Sequence, residues 1–322
     1  MDLPKDVLVD VYRRMRTIRS FEDKLQELVA AGKLAGFLHL YAGEEAVAVG
    51  VCSHLSDADI VGSTHRGHGH CIAKGVDVKG MMAELFGRAT GTCKGKGGSM
   101  HIADVDRGML GANGIVGGGI PLVTGAALSA QVRGSDSVAV SFFGDGATNQ
   151  GQFHESLNMA ANWKLPVVYV VENNGFGEFT PTEFVVPVKD IADRAASYGM
   201  RSDIADGMDF FDVHEKAAEA IARARAGEGP TLLECKTYRF YGHFVGDTLV
   251  YRDKQQAEDW IQNRDPLHVF ETKVTEAGVV ASDDLRTVDG EVAELLAEAV
   301  EEAQAAPHPN PEDVLTDVYV SY

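Results

Sequence analysis

The stretch VAVSFFGDGATNQGQFHESLNMAANWKLPVVYVVENN, residues 138–174, decides the fold. An apolar run over residues 138–143 closes in Gly144-Asp145-Gly146, and a second, over residues 167–171, leads to Asn173-Asn174. Between them, residues 152–164 repeat Phe153, Leu157 and Ala160/Ala161 at helical spacing. Strand, helix, strand predicts a βαβ unit, whose crossover makes the two strands parallel and right-handed. Both motifs then sit at carboxyl ends of parallel strands, the edge where open α/β sheets bind ligands. The carboxylate of Asp145, the carboxamide of Asn174 and flanking glycines there suit a hard cation clamped onto a diphosphate. Mg²⁺ takes an octahedron of oxygens, several of them from phosphates, and the carbonyl of Phe176 is a candidate further ligand. Either motif alone is an ordinary turn; the pair, each ending a strand, is a site.

A chain of 322 residues with 45% hydrophobic and 24% charged residues can bury a substantial core. A formal charge of −19 argues against a nucleic-acid partner. No apolar run is long enough for a membrane span, and the acidic start Met1-Asp2-Leu3-Pro4 lacks the features of a signal peptide, so a cytoplasmic protein is expected. Cys52, Cys71, Cys93 and Cys235 are scattered without a CxxC, which suits buried, reduced thiols.

Along the chain, residues 5–31 read as a long amphipathic helix stopped by Gly32. Residues 44–52 read as a small-residue helix whose first acids, Glu44 and Glu45, complement the helix dipole. Further helices are expected over 121–131, 190–198, 212–225 and 283–304, and a strand over 231–237. One domain over 1–322 is the expectation, with an N-terminal helical arm to about residue 60 and a C-terminal helical extension from about residue 265. The fold class is α/β: a mostly parallel sheet with helices on both faces.

The glycine-rich residues 91–119 suggest backbone brought close to a ligand. They are no P-loop, because Gly95-Lys96 is followed by Gly97, and no G-x-G-x-x-G stands between a strand and a helix. Arg66 suits a phosphate, while His65, His68 and His70 beside it suit phosphate contact or proton movement. A zinc site there lacks further ligands. His243, in the glycine- and aromatic-rich loop 238–251, reads by itself as a loop histidine; the loop reads as one ordered on binding.

Several collinear stretches carry a resemblance: YAGEEAVAVG (41–50), STHRGHGHCIAKG (63–75), GKGGSMHIAD (95–104), GANGIVGGGIPLVTGAAL (111–128), FFGDGATNQGQFHESLNMAANWKLPVVYVVENN (142–174) and TYRFYGHF (237–244). Together they resemble the α subunit of the thiamin-diphosphate-dependent dehydrogenase component of 2-oxo acid and acetoin dehydrogenase complexes. The resemblance covers most of the chain and weakens after residue 265. It implies the thiamin-diphosphate-binding fold, thiamin diphosphate and Mg²⁺ as cofactors, and Asp145, Asn174 and the Phe176 carbonyl as metal ligands. It further implies cofactor contacts from His65, Arg66, Gly114, Val116, Gly146, Ala147 and His243, and supports His243 as a catalytic histidine; His68 is a second catalytic candidate from its residue type in the histidine cluster. His65 stands where many relatives have tyrosine. The family's chemistry is C–C cleavage beside a carbonyl, with the electron pair stored in the thiazolium ring.

A glutamate must exchange a proton with the aminopyrimidine, and none stands out here. The resemblance therefore implies a β subunit that supplies it in an α₂β₂ assembly, and a lipoyl-bearing dihydrolipoyl acyltransferase as a further partner. Pyruvate relatives often read Tyr-His-Gly-His-Ser, whereas Tyr241 precedes Gly242 here and Phe244 follows His243. That difference, with GFGEFTPTEF (175–184), leans toward acetoin as the small-molecule substrate; pyruvate or a branched 2-oxo acid is the alternative.

Overall fold

Residues 3–319 are described by the computed structural model. In chain order the elements are α1 (Lys5–Ala30), α2 (Glu45–Cys52), β1 (Ile60–Gly62), α3 (His68–Lys74), α4 (Val78–Leu85), β2 (Met109–Gly111) and α5 (Gly119–Arg133). Then come β3 (Ala139–Gly144), α6 (Gly151–Trp163), β4 (Val167–Asn173), the short strands β5 (Phe176–Gly177) and β6 (Thr180–Pro181), and α7 (Thr182–Val185). The chain continues through β7 (Arg201–Asp206), α8 (Phe210–Arg225), β8 (Thr231–Lys236), α9 (Lys254–Asn263), α10 (Pro266–Glu276) and α11 (Ser282–Ala305). Residues 190–198 form a 3₁₀ turn over Ile191–Tyr198 instead of the expected α-helix.

The main sheet runs β2-β1-β3-β4-β8-β7, parallel throughout. Strands of such a sheet are buried on both faces, so their side chains divide by period two between two cores. In β4, Val168 and Val170 join the core built with α1–α4, α8, α10 and α11, while Val167, Tyr169 and Val171 join the one built with α5 and α6. Helix α6 buries Phe153, Leu157 and Ala160, the stripe read from its sequence. Asp59, fully buried, ties the sheet's start together by accepting from Val138 N at 2.8 Å, Ser56 N at 2.8 Å and Arg225 Nη2 at 3.0 Å.

Strand order reverses between β1 and β3, since the chain passes outward from β1 to β2 and returns to pair β3 on the other side. That is the topological switch point at which this kind of sheet opens a crevice. No described helix is long and apolar enough to cross a membrane.

Candidate active site at the carboxyl edge

A cavity of about 350 Å³ opens at that edge. Its walls come from the segments that follow five parallel strands: Ser63–Arg66 after β1, Asn113 and Ile115–Gly117 after β2, Asp145–Ala147 after β3, Asn174 and Phe176–Glu178 after β4, and Arg239 and His243 after β8. A ligand held there touches loops, while the sheet beneath sets their spacing.

Asp145 is 2% exposed and accepts a hydrogen bond from Thr182 Oγ1. Burial pushes its carboxyl above the ordinary range. Asn174 donates from Nδ2 to Glu44 Oε1 at 3.1 Å, and its Oδ1 accepts the Phe176 N–H at 3.4 Å. With the amide so oriented, the nitrogen is committed to the Glu44 carboxyl and the oxygen keeps a second lone pair for a cation. The Phe176 carbonyl accepts from Arg239 Nη1 at 3.3 Å, while Arg239 Nη2 reaches the Glu178 carbonyl at 2.6 Å. A Cβ on Gly146 would lie 3.0 Å from the Cα of Gly177, so backbone meets backbone where the two ligand-bearing loops touch. Carboxylate, amide oxygen and carbonyl form an all-oxygen set that fits Mg²⁺, and Gly146 and Gly177 line the cavity beside it.

Arg66 is buried; its Nη1 donates to the Leu40 carbonyl at 2.5 Å and its Nη2 to the His243 carbonyl at 3.1 Å. Its Nε lies 3.6 Å from Glu44 Oε2. Glu44 is therefore more than a dipole-complementing acid. It is fully buried between Asn174 and Arg66, and burial together with the nearby Glu172 carboxylate pushes it up to about 8. Glu45 takes a separate role, pairing with Arg19 at 2.7 and 3.0 Å.

The histidines part company. His65 and His243 line the cavity and meet His39, a residue the sequence reading passed over. His68 does not reach it: the ring is fully buried, with Nδ1 3.1 Å from Glu22 and Nε2 2.9 Å from Ser99 Oγ. Its two nitrogens are both engaged within the chain, away from the cavity lining. His70 likewise bridges Ser63 and Glu172 at 2.7 and 2.9 Å.

Val116 and Ala147 line the cavity, as do Asn113 and Ile115 on either side of Gly114, which is not itself a lining residue. The Val116 carbonyl accepts from Gln152 Nε2 at 2.8 Å. The glycines of residues 91–98 serve another guest altogether. Buried Glu84 accepts backbone N–H bonds from Cys93, Gly95, Gly97 and Gly98 at 2.8–2.9 Å, so this part of the loop wraps the protein's own carboxylate. Loop 238–251 is also more fastened than its glycines suggest. Phe240 N and Val245 N bond to the carbonyls of Ala42 and Leu38, and Asp247 gathers His243 N, Leu249 N and Tyr251 OH. Glu44, His39, Arg239 and Thr182 are the site residues that went unread; for Arg239 and His39 the available signal was a polar side chain inside an aromatic or apolar run.

The model of the dehydrogenase E1 component family matches residues 13–312. Over 322 residues the chain is 57% identical to the α subunit of an acetoin:2,6-dichlorophenolindophenol oxidoreductase of Cupriavidus necator, covering 100% of this chain and 97% of that protein. The Bacillus subtilis protein of the same description is 54% identical, with 100% of this chain and 96% of that one covered. A pyruvate dehydrogenase E1 component α subunit of Rhizobium meliloti is 41% identical across 98% of this chain and 91% of its own length. A family match over nearly the whole sequence, with full-length relatives at these identities, shows that the chain belongs to the dehydrogenase E1 component family.

Proposed function

We propose that this chain is the α subunit of a thiamin-diphosphate- and Mg²⁺-dependent oxidoreductase that cleaves acetoin. The observation that carries the cofactor reading is the all-oxygen donor set at the switch point, Asp145, Asn174 and the Phe176 carbonyl, beside the Gly146–Gly177 contact. The acetoin reading is supported by the two most similar relatives named above. When bound, thiamin diphosphate supplies a nucleophilic carbon and an electron sink for breaking a C–C bond next to a carbonyl.

In this reading Asp145, Asn174 and Phe176 hold the cation, Gly146 and Ala147 admit the diphosphate, and Arg66 supplies positive charge beside it. Val116 and the Gly114 loop flank the aminopyrimidine side. His65 and His243 stand at the reacting end. Burial and the Arg66 charge lower His243 to about 4, so its imidazole is neutral at pH 7 and can hold a proton at one nitrogen and accept at the other. A β subunit completes the pyrimidine side, and a lipoyl-bearing acyltransferase or an artificial acceptor takes the electrons. Exposed Ile115, Val116 and Val185 at the cavity suit cover by such a subunit.

The test mixes this chain with its β subunit and follows 2,6-dichlorophenolindophenol reduction with acetoin and pyruvate side by side. Acetoin should give the larger kcat/KM; a larger value with pyruvate would replace the substrate assignment. Asp145→Ala and Asn174→Ala should each abolish Mg²⁺-dependent thiamin diphosphate binding in calorimetry while the protein stays folded. Wild-type affinity in either variant would overturn the metal site.

A further inference from the structure

We propose that His39, His65 and His243 form a second metal site, which takes a borderline transition dication such as Zn²⁺ and excludes the catalytic arrangement while it is filled. The three residues come from the segment before α2, the loop after β1 and the loop after β8. One ring nitrogen from each lies within 4.8 Å of the others. Ring centroids are 4.5 Å apart for His39–His65, 4.9 Å for His39–His243 and 5.2 Å for His65–His243.

Two of these rings carry an unmet demand. Nδ1 of His39 and Nδ1 of His243 are buried without a hydrogen-bond partner, and His39 as a whole is only 2% exposed. Buried polar atoms are nearly always partnered, so an orphan pair converging with a third imidazole points to a ligand. The groups around them are already committed, Arg66 to the Leu40 and His243 carbonyls and Asp247 to the His243 N–H.

The chemistry of the set selects the cation. Neutral imidazole is the ligating form, and burial with the Arg66 charge lowers His39 to about 3, His243 to about 4, and His65 well below its ordinary value. All three therefore keep a lone pair at pH 7. Three imidazoles with an open fourth position suit Zn²⁺, whereas the oxygen set at Asp145 suits Mg²⁺, so the two sites sort cations by ligand softness. Zn–N bonds of about 2.0–2.1 Å put tetrahedral nitrogens about 3.3 Å apart, which asks each ring to move by less than about 1 Å. Arg66 and Arg239 oppose a dication, and their guanidinium N–H groups are turned to the carbonyls of Leu40, His243, Phe176 and Glu178. Exclusion of catalysis rests on the cofactor reading above, since His243 cannot serve the cofactor's reacting end and a zinc ion together. Binding of the dication does not depend on it.

Cobalt(II) titrated into the full chain, with no cofactor added, is the direct probe. One equivalent should bind with the intense visible bands of four-coordinate cobalt, and Zn²⁺ should displace it. His39→Ala and His65→Ala should each weaken cobalt at least tenfold, while Asp145→Ala leaves the bands in place. Should His39→Ala melt early, His39→Gln keeps the ring's volume and tests the same nitrogen. Wild-type cobalt affinity in the histidine variants, or only the weak spectrum of six-coordinate cobalt, overturns the site. Mg²⁺ with thiamin diphosphate should compete with cobalt in the wild type. Histidine-dependent binding without that competition keeps the metal site and overturns its exclusion of catalysis. Loss of cofactor binding in Asp145→Ala, read separately, reports on the cofactor reading alone.

Discussion

Asn174 offers chemistry from one side of its amide because Glu44 holds the other. Glu44→Ala frees the amide to turn its NH₂ toward the cation, and we expect Mg²⁺ affinity to fall by about tenfold or more, the scale seen when a group behind a metal ligand is removed. Glu44→Gln still presents an oxygen and should retain most of it. Calorimetry of Mg²⁺ with thiamin diphosphate separates the two, and equal affinities for Glu44→Ala and wild type would remove Glu44 from the site. His68 gives the opposite contrast. His68→Ala should cost about 2–4 kcal/mol in chemical unfolding, because Glu22 and Ser99 lose a buried partner. The folded fraction should still bind cofactor. Sequence could not separate these two residues: Glu44 meets Asn174 across 130 positions, and His68 opens α3 with its ring turned into the α1 core.

At the scale of elements, the βαβ unit was legible because period and length agree with its burial on both faces. The glycine-rich segment was misleading for a physical reason. Glycines report that backbone must approach something, and at residues 93–98 that something is Glu84. Glu84→Gln exchanges one acceptor oxygen for a donor and should cost about 3 kcal/mol or more, with fast amide exchange confined to residues 93–98. Exchange as slow as in wild type would mean the loop stands without its carboxylate. Asp59 makes a second test. Bonds from Arg225, Ser56 and Val138 hold its carboxyl below the ordinary range. A depressed carboxyl contributes stability that is fully present at neutral pH and is lost as pH falls through the folded pKa. Asp59→Asn should therefore destabilise the protein at pH 7 and show less further loss than wild type between pH 5 and pH 2.

The whole molecule joins these parts through one edge of one sheet. Its own acids near the cavity are Asp145, Glu44, Glu172 and Glu178, and our assignment gives the first two to the cation end. The isolated chain should accordingly show no turnover until its β subunit is added; robust activity from the purified chain alone would return attention to Glu44. The parallel order of the strands has a further meaning for how the protein comes into being. Cavity residues run from Ser63 to His243, and β8, second from one end of the sheet, must seat between β4 and β7 before Arg239 and His243 arrive. A nascent chain that has not yet emerged past β8 lacks Arg239 and His243 from its cavity. Ligand should consequently brace the entire cooperative unit instead of one flap, raising unfolding free energy by about 2.7 kcal/mol at roughly a hundredfold excess over Kd. The same protection should vanish in Asp145→Ala.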